Sequence, residues 1–188
     1  MRASAVGAVL AAACGGRSGS PAQPADPTPA RTLPLASVYL LQESGAPPPD
    51  TTVTLTAGTP RHILFRTPVP DNTVIADVSF GAQAFQAADG TPVSVTLRAS
   101  PAAFGLILQA SAPFQAGGEI TFKYAVHFVA PPDAAARYPN HVLLERALAI
   151  GRLTAGGEID LLPSTRPASD NLKAPAASPG TYVVAAPR

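Results

Sequence analysis

The chain has 188 residues, of which 46% are apolar and 13% are charged, and its formal net charge is +1. This length fits one folded domain with appendages, and the near-zero charge excludes the basic surface that nucleic-acid binding requires. The 22 prolines favour a loop-rich chain of short strands, and the single cysteine excludes an intrachain disulfide.

The first residues have the pattern of a secretory signal. Met1-Arg2 is followed by A-S-A-V-G-A-V-L-A-A-A and then by Cys14. This apolar run is too short to span a bilayer, which takes about 20 residues. The residues Leu10 to Ala13 ahead of Cys14 resemble a bacterial lipobox, in which cleavage precedes a cysteine that is then lipidated. We therefore predict a signal peptide at 1–13 and a lipid anchor on Cys14. An ordinary cleaved signal with an unmodified Cys14 stays open.

The segment after Cys14 lacks any hydrophobic period. It reads G-G-R-S-G-S-P-A-Q-P-A-D-P-T-P-A-R-T-L-P, with almost no apolar side chain to bury. Such Pro-, Ser- and Gly-rich composition is typical of a disordered linker. We predict a tether over 14–34 and one folded domain over 35–188. Gly15 after the cysteine resembles the pattern that is sorted to an outer membrane, so we expect the domain outside the cytoplasm.

The folded part begins with short alternating segments separated by Pro and Gly. Strands are predicted at Ser37 to Leu41, Thr51 to Thr56 and Arg61 to Arg66. The stretch from Val74 to Phe128 then contains four segments in which apolar and polar residues alternate. Within it, Gly81 to Ala88 departs from alternation and is predicted as a loop with Phe85 folded back into the core. The longest apolar face runs from Ile120 to Phe128, and we predict a central strand there with His127 on its exposed side.

The remainder of the chain combines two long connections with three further strands. Pro131 to Asn140 is predicted as a connection with one helical turn at Asp133 to Arg137, and Pro163 to Pro179 as a polar, Pro-rich loop. Strands are predicted at Ala147 to Leu153, at E-I-D-L-L (158–162), which forms a hairpin with it, and at Thr181 to Ala186. Many short strands at spacings of about ten residues indicate an all-β protein, an immunoglobulin-like antiparallel β-sandwich.

The segment V-S-F-G-A-Q-A-F (Val78 to Phe85) is similar to one in a known β-sandwich module. That module occurs in zonula occludens proteins, netrin receptors and ankyrins, and in related bacterial secreted lipoproteins. The strands that follow also resemble it in their order, over roughly Thr51 to Ala186. The usual proline is Gly81 here, and the usual glycine is Gln83. The resemblance implies a structural or interaction module with no catalytic residues.

The two long connections contain the candidate binding residues. Long loops in a compact domain are often functional, and Arg with Tyr is common at interfaces. The candidates are Arg137, Tyr138, Asn140 and His141 in the first loop, with Arg166, Asp170, Asn171 and Lys173 in the second.

Catalytic and metal-binding patterns are weaker. The three histidines lack zinc-ligand spacing, and no Gly-x-Ser-x-Gly elbow is present. Ser164, Asp170 and His141 could in principle meet in space as a hydrolase site. We predict no metal and no cofactor. The expected function is a non-catalytic, membrane-anchored structural or protein-interaction module of the cell envelope. The first alternative is a module that binds glycan or protein through 131–141 and 163–173, and the second is a hydrolase.

Overall fold

The computed structural model describes residues 29–101, 103–115, 118–124 and 127–188, and most of its regular elements are antiparallel strands. The predicted signal peptide, Cys14 and most of the predicted tether lie outside these residues. No helix within the described ranges is long and apolar enough to cross a membrane. The strands are β1 Arg31–Pro34, β2 Val38–Leu40, β3 Gln42–Glu43, β4 Thr51–Thr56, β5 Arg61–Arg66, β6 Val74–Phe80, β7 Pro92–Ala99, β8 Gly105–Ala110, β9 Gly118–Lys123, β10 Phe128–Val129, β11 Ala149–Leu153, β12 Glu158–Leu161, β13 Asn171–Ala176 and β14 Gly180–Pro187, and the α-helix is α1 His141–Ala147.

The strands form two main sheets and one small one. The eight-stranded sheet has the order β1-β12-β11-β14-β8-β7-β4, and β2 pairs with the far end of β14. The four-stranded sheet has the order β13-β9-β6-β5, and β3 pairs with β10 alone. All of these pairings are antiparallel.

Both main sheets contribute side chains to one hydrophobic core. Because alternate residues of a strand point to the same face, the alternation in the sequence places one apolar row of each strand inside. The eight-stranded sheet contributes Val93, Val95, Leu97, Leu106 and Leu108, and the four-stranded sheet contributes Ile63, Phe65, Val78, Ile120, Phe122 and Leu172. Phe85 is buried against Phe80 and Phe114, which confirms the predicted inward fold of 81–88.

The eight-stranded sheet is also covered on part of its other face. A second cluster contains Val38, Ile159, Leu161, Val183 and Ala185, with partly buried Leu33, Leu35 and Leu40 packed against it. Strands β11 and β14 are therefore buried on both faces, which explains why their sequences are apolar without alternation.

Strand β1 lies inside the segment predicted as tether. It pairs antiparallel with β12, from Arg31 opposite Leu161 to Pro34 opposite Glu158. The sequence prediction missed this strand because the Pro-rich segment around it has almost no apolar side chain and no hydrophobic period. An edge strand accepts proline, since one of its sides needs no backbone donor.

The predicted strand from Ile120 to Phe128 is shorter than expected. Strand β9 ends at Lys123, and it is central because β6 and β13 flank it. His127 has a positive φ of 64°, a left-handed conformation that does not continue a strand. Phe128 and Val129 then form β10 with a different partner. The prediction of His127 on the exposed side of a strand is therefore wrong.

Two elements occupy segments that were not predicted to contain them. Strand β13 lies within the predicted Pro163 to Pro179 loop, so this loop is shorter than the sequence suggested. Helix α1 lies where only the approach to a strand was predicted. The predicted helical turn before it is confirmed as a 3-10 helix at Pro132–Ala136.

Candidate functional site

The two candidate loops contact helix α1 at opposite ends, the first loop at its start and the second at its end. At its start, the Asn140 side chain accepts a hydrogen bond from the Leu143 backbone N–H at 3.0 Å, which is a typical N-cap. At its end, Arg166 Nη2 donates to the carbonyl oxygens of Glu145 at 2.5 Å and Leu148 at 2.6 Å. A helix leaves its last carbonyls short of donors. Arg166 supplies the donor to the Leu148 carbonyl and adds a second one to the Glu145 carbonyl, which also accepts from the Leu148 N–H at 3.2 Å. The fold therefore connects loops that are well separated in sequence.

A groove runs between the 3-10 helix and α1. Its volume is about 350 Å³. Pro131, Pro132, Ala134, Tyr138, Pro139 and Leu144 line it. We call this the α1 groove. Its lining is mainly apolar, which is typical of sites that bind apolar groups of a ligand or partner.

Aromatic and charged contacts fix the loop that forms the α1 groove. The Tyr138 hydroxyl donates to the Pro187 carbonyl at 2.6 Å, and the Tyr39 hydroxyl donates to the Asp133 carbonyl at 3.3 Å. The rings of Tyr39 and Tyr138 make an edge-to-face contact at 6.1 Å. Arg188 stacks 4.4 Å above Tyr39 and forms an ion pair with Asp133 at 2.6 Å. The loop is thus held to β2 and to the end of β14, and the groove is preformed.

Exposed apolar and polar side chains flank the α1 groove. Val142 and Leu143, on the first turn of α1, are each 42% exposed. Arg137 and His141 are also exposed, on either side of Tyr138 and Asn140 in the chain. Neither Arg137 nor His141 forms an ion pair within the described residues. The surface therefore combines exposed apolar area with the positive charge of Arg137.

A second, more polar cleft borders α1 at Glu145. Tyr124, Phe128, Glu145, Ser169 and Asp170 line a space of about 290 Å³. The Tyr124 hydroxyl donates to the Ser169 carbonyl at 2.7 Å, and burial raises the pKa of this phenol above its ordinary value. We call this the Tyr124 cleft. It places two aromatic rings beside two carboxyl groups.

The other candidates of the second loop lie in or beside strand β13. Asn171 begins the strand, and Lys173 forms an ion pair with Glu119 of β9 at 2.7 Å. Asp170 is half-buried, and its carbonyl accepts from the Tyr124 N–H at 3.0 Å. The structure therefore brings Arg166 and Asp170 close to α1 and places Lys173 on a sheet.

Ser164 is engaged with the backbone. It is fully buried, its hydroxyl donates to the Leu162 carbonyl at 2.9 Å, and it accepts from the Ile150 N–H at 2.9 Å. His141 is exposed on α1. Among the described residues, no group of three or more His, Cys, Asp and Glu side chains could hold a metal ion.

A polar cluster around His127 was not predicted from the sequence. His127 Nε2 lies 2.8 Å from Asp71 Oδ2, and its Nδ1 lies 3.3 Å from the Ser44 carbonyl oxygen. Burial raises the pKa of the neighbouring Glu43 carboxyl, and the charge of His127 opposes this shift. Glu43 also lines a cavity of about 420 Å³ with Gln42 and Ser100. No sequence signal could have found this cluster, because its members come from three separate segments.

Acid should destabilise the protein through Asp71. Hydrogen bonds from the hydroxyls of Thr67 and Thr73, at 2.7 and 2.8 Å, lower the pKa of the Asp71 carboxyl in the folded state. The unfolded chain therefore binds this proton more readily. The stabilisation is complete above the unfolded pKa of about 3.9 and is lost as the pH falls through the folded value. We expect the urea midpoint to fall between pH 6 and pH 3, and to fall less in Asp71→Asn. An equal fall in both proteins would contradict this assignment.

Replacement of Arg166 should destabilise the region around α1. Arg166→Ala removes the donors to Glu145 and Leu148, so we expect a loss of about 2 kcal/mol in the free energy of unfolding. Hydrogen exchange should accelerate at the α1 amides. Arg146→Ala is the matched control, since Arg146 is exposed on the same helix and forms no ion pair within the described part of the chain. Equal exchange rates in both variants would show that Arg166 does not hold the helix.

Comparisons with protein-family models, with curated proteins and with solved structures found no match to this chain.

Proposed function

We propose that this protein is a membrane-anchored extracytoplasmic lipoprotein whose immunoglobulin-like β-sandwich binds a protein partner and catalyses no reaction. The observation that carries the binding role is the preformed α1 groove, with Val142 and Leu143 exposed beside it. The sequence Leu10 to Cys14 after a short apolar run supports the anchor. A lipidated residue at position 14, ahead of the folded domain, would hold the domain at a membrane with its groove free to reach a partner.

The chemistry of the α1 groove favours a polypeptide partner with acidic groups beside an apolar segment. Protein interfaces are enriched in aromatic residues and arginine, and they bury apolar side chains at their centre. Tyr138 lines the groove, and Arg137 next to it is exposed without an ion pair in the described residues. An acidic side chain of the partner would complement Arg137, and an apolar one would cover Leu143.

Site-specific photo-crosslinking in the native membrane tests the binding role. A photoreactive amino acid at position 143 should form an adduct with a polypeptide. The same probe at position 64 is the matched control, because Leu64 is 43% exposed but lies on β5. Arg137→Glu should abolish the adduct at position 143. Equal adducts at positions 143 and 64, or none at 143, would contradict the proposal.

The anchor is tested separately. Mass spectrometry of the mature N-terminus should find an acylated Cys14, and Cys14→Ser should release the protein from the membrane. An unmodified Cys14 in the mature chain would contradict the lipoprotein assignment and would leave the binding role of the groove intact.

The Tyr124 cleft favours a second candidate function, the binding of an envelope glycan. Sugars are recognised by aromatic faces together with carboxylates that accept hydrogen bonds from hydroxyls, and Phe128 with Glu145 and Asp170 supplies both kinds of group. If this candidate is right, glycan fragments should bind to Cys14→Ser protein, and Asp170→Asn should weaken that binding. Glycan binding together with no adduct at position 143 would favour this candidate over the first.

A further inference from the structure

Strand β4 differs from the other strands at the edges of the two main sheets. Natural sheets protect their edges from pairing with other chains by charged residues or prolines. Strand β1 has Arg31 and Pro34, β13 has Lys173 and Pro175, and β5 has Arg61 and Arg66. Strand β4 reads T-T-V-T-L-T and has no charged residue and no proline. It is therefore the edge least protected against pairing.

The backbone groups of Thr52 and Thr54 face away from the sheet. On β7, the Ser94 N–H donates to the Ser111 hydroxyl and the Ser94 carbonyl accepts from the Ser111 N–H, both toward β8. Successive residues of a strand point these groups to opposite sides, so Val95 directs its own groups toward β4, where it pairs with Val53. Thr52 and Thr54 therefore direct their N–H and C=O groups outward. Within the described residues these four groups have no backbone partner.

We propose that β4 pairs antiparallel with β4 of a second copy of this chain, across a two-fold axis at Val53. This register places Thr52 of each copy opposite Thr54 of the other, so that four backbone hydrogen bonds form. A shift by one residue would turn the core face of one strand outward. A shift by two toward the strand end would need the Thr56 carbonyl, which already accepts from the Thr59 N–H at 3.1 Å. The register centred on Val53 is thus the one in which the outward groups of Thr52 and Thr54 all find partners within the two β4 strands.

Charge also favours this edge for self-pairing. Antiparallel pairing of β5 with its own copy would collect two arginines from each chain along one junction, because Arg61 and Arg66 begin and end the strand. Like charges across strands are destabilising. Near β4, Asp50 and Arg98 already form an ion pair at 3.1 Å. Arg61 lines a space with Thr54 and Thr56, so each copy brings one arginine without an ion pair in the described residues to this junction, where β5 would bring two. The outer face of β4 carries only threonines, which tolerate threonine neighbours across strands.

A small edge contact is weak between freely diffusing molecules, and it strengthens when copies are held close together. Attachment to a membrane would supply that concentration. The pairing itself depends neither on the anchor nor on the α1 groove.

Disulfide trapping tests the register. The test uses the full chain with Cys14→Ser, in which Val53→Cys places one thiol on the proposed axis. Opposite residues of a non-hydrogen-bonded pair have Cα atoms about 4.5 Å apart, which a disulfide can bridge. Under mild oxidation at high protein concentration we expect a disulfide-linked dimer as the main product. Leu64→Cys, at the β5 edge and more exposed, should stay mainly monomeric.

A charged residue introduced on β4 should prevent the pairing. Thr54→Lys, added to Val53→Cys, should abolish the disulfide dimer and leave thermal unfolding unchanged, because the Thr54 side chain is exposed. Sedimentation equilibrium of the Cys14→Ser protein, with and without Thr54→Lys, tests the pairing without any substitution at Val53. Concentration-dependent association that Thr54→Lys removes supports the proposal. A monomer at all concentrations, or equal trapping at positions 53 and 64, overturns it. Trapping at Val53 that survives Thr54→Lys also overturns it.

Discussion

Phe104→Ala is expected to lower the free energy of unfolding by about 3–5 kcal/mol, the range for removing a large buried aromatic ring. Phe104 is fully buried. Its ring lies 5.9 Å from the ring of Phe122 in the four-stranded sheet and 6.4 Å from that of Phe128 at the start of β10. Phe104 itself leads into β8 of the eight-stranded sheet, so its side chain fills space between the two sheets. Alanine would leave a cavity that neither sheet can close.

The backbone of Phe104 should keep its contacts in this variant. Its N–H donates to the Leu41 carbonyl at 2.7 Å, and its carbonyl accepts from the Val184 N–H at 3.0 Å. The expected loss is therefore a packing effect. Urea unfolding followed by far-UV circular dichroism measures it, because the chain has no tryptophan. Leu64→Ala, at a side chain that is 43% exposed, should change stability by no more than about 0.5 kcal/mol. A loss below about 1 kcal/mol for Phe104→Ala would mean that the ring does not fill a packed space between the two sheets.

Strands with a single buried face could be predicted from the sequence, because their alternation records which side chains the core removes from water. Val93, Val95 and Leu97 alternate with polar residues, and all three are fully buried. The inward position of Phe85 could also be predicted, since a large ring in a loop beside apolar strands is stabilised by burial. These signals are local, so they do not depend on which strands pair with each other.

Strand β13 and helix α1 could not be predicted, for two different reasons. Proline argues against a central strand, but β13 lies at an edge, where Pro175 is tolerated. Helix α1 has only two turns, and Leu144 is its one buried residue within the described range, so it shows no helical period. Asn140 as an N-cap was the one local signal of this helix. Tertiary contacts, Arg166 above all, complete its stabilisation.

The candidate site was predictable only in part. The length and residue types of the loop with Arg137 and Tyr138 predict a binding surface, and the α1 groove lies there. Its approach to Arg166 depends on strand order, which the sequence does not reveal. The contact between His127 and Asp71 depends on the same long-range order. Crosslinking at position 143 tests the binding role proposed for Arg137 and Tyr138.

Gly105 shows the same limit of local patterns, since its importance comes from a strand that lies far away in the sequence. Gly105 pairs with Val183 of β14. A Cβ atom on Gly105 would overlap the Tyr182 carbonyl oxygen and would lie 2.9 Å from Val183 Cα, and both are backbone atoms that cannot rotate away. Strand β14 is also held by β11 and β2, so it cannot move freely. We expect Gly105→Ala to cost about 3 kcal/mol, at the upper end for overpacking.

Two other glycines provide matched controls for Gly105→Ala. At Gly156 the nearest atom to an added Cβ is Thr154 Oγ1 at 3.9 Å, an ordinary contact, so Gly156→Ala should change stability by no more than about 0.5 kcal/mol. At Gly151 the obstacle is the buried Ile159 side chain, which is not backbone and can shift by less than the sheet would have to, so Gly151→Ala should fall between the other two. Urea unfolding of the three variants should give this order. If Gly105→Ala were as mild as Gly156→Ala, β8 and β14 could not lie as close together as their pairing requires.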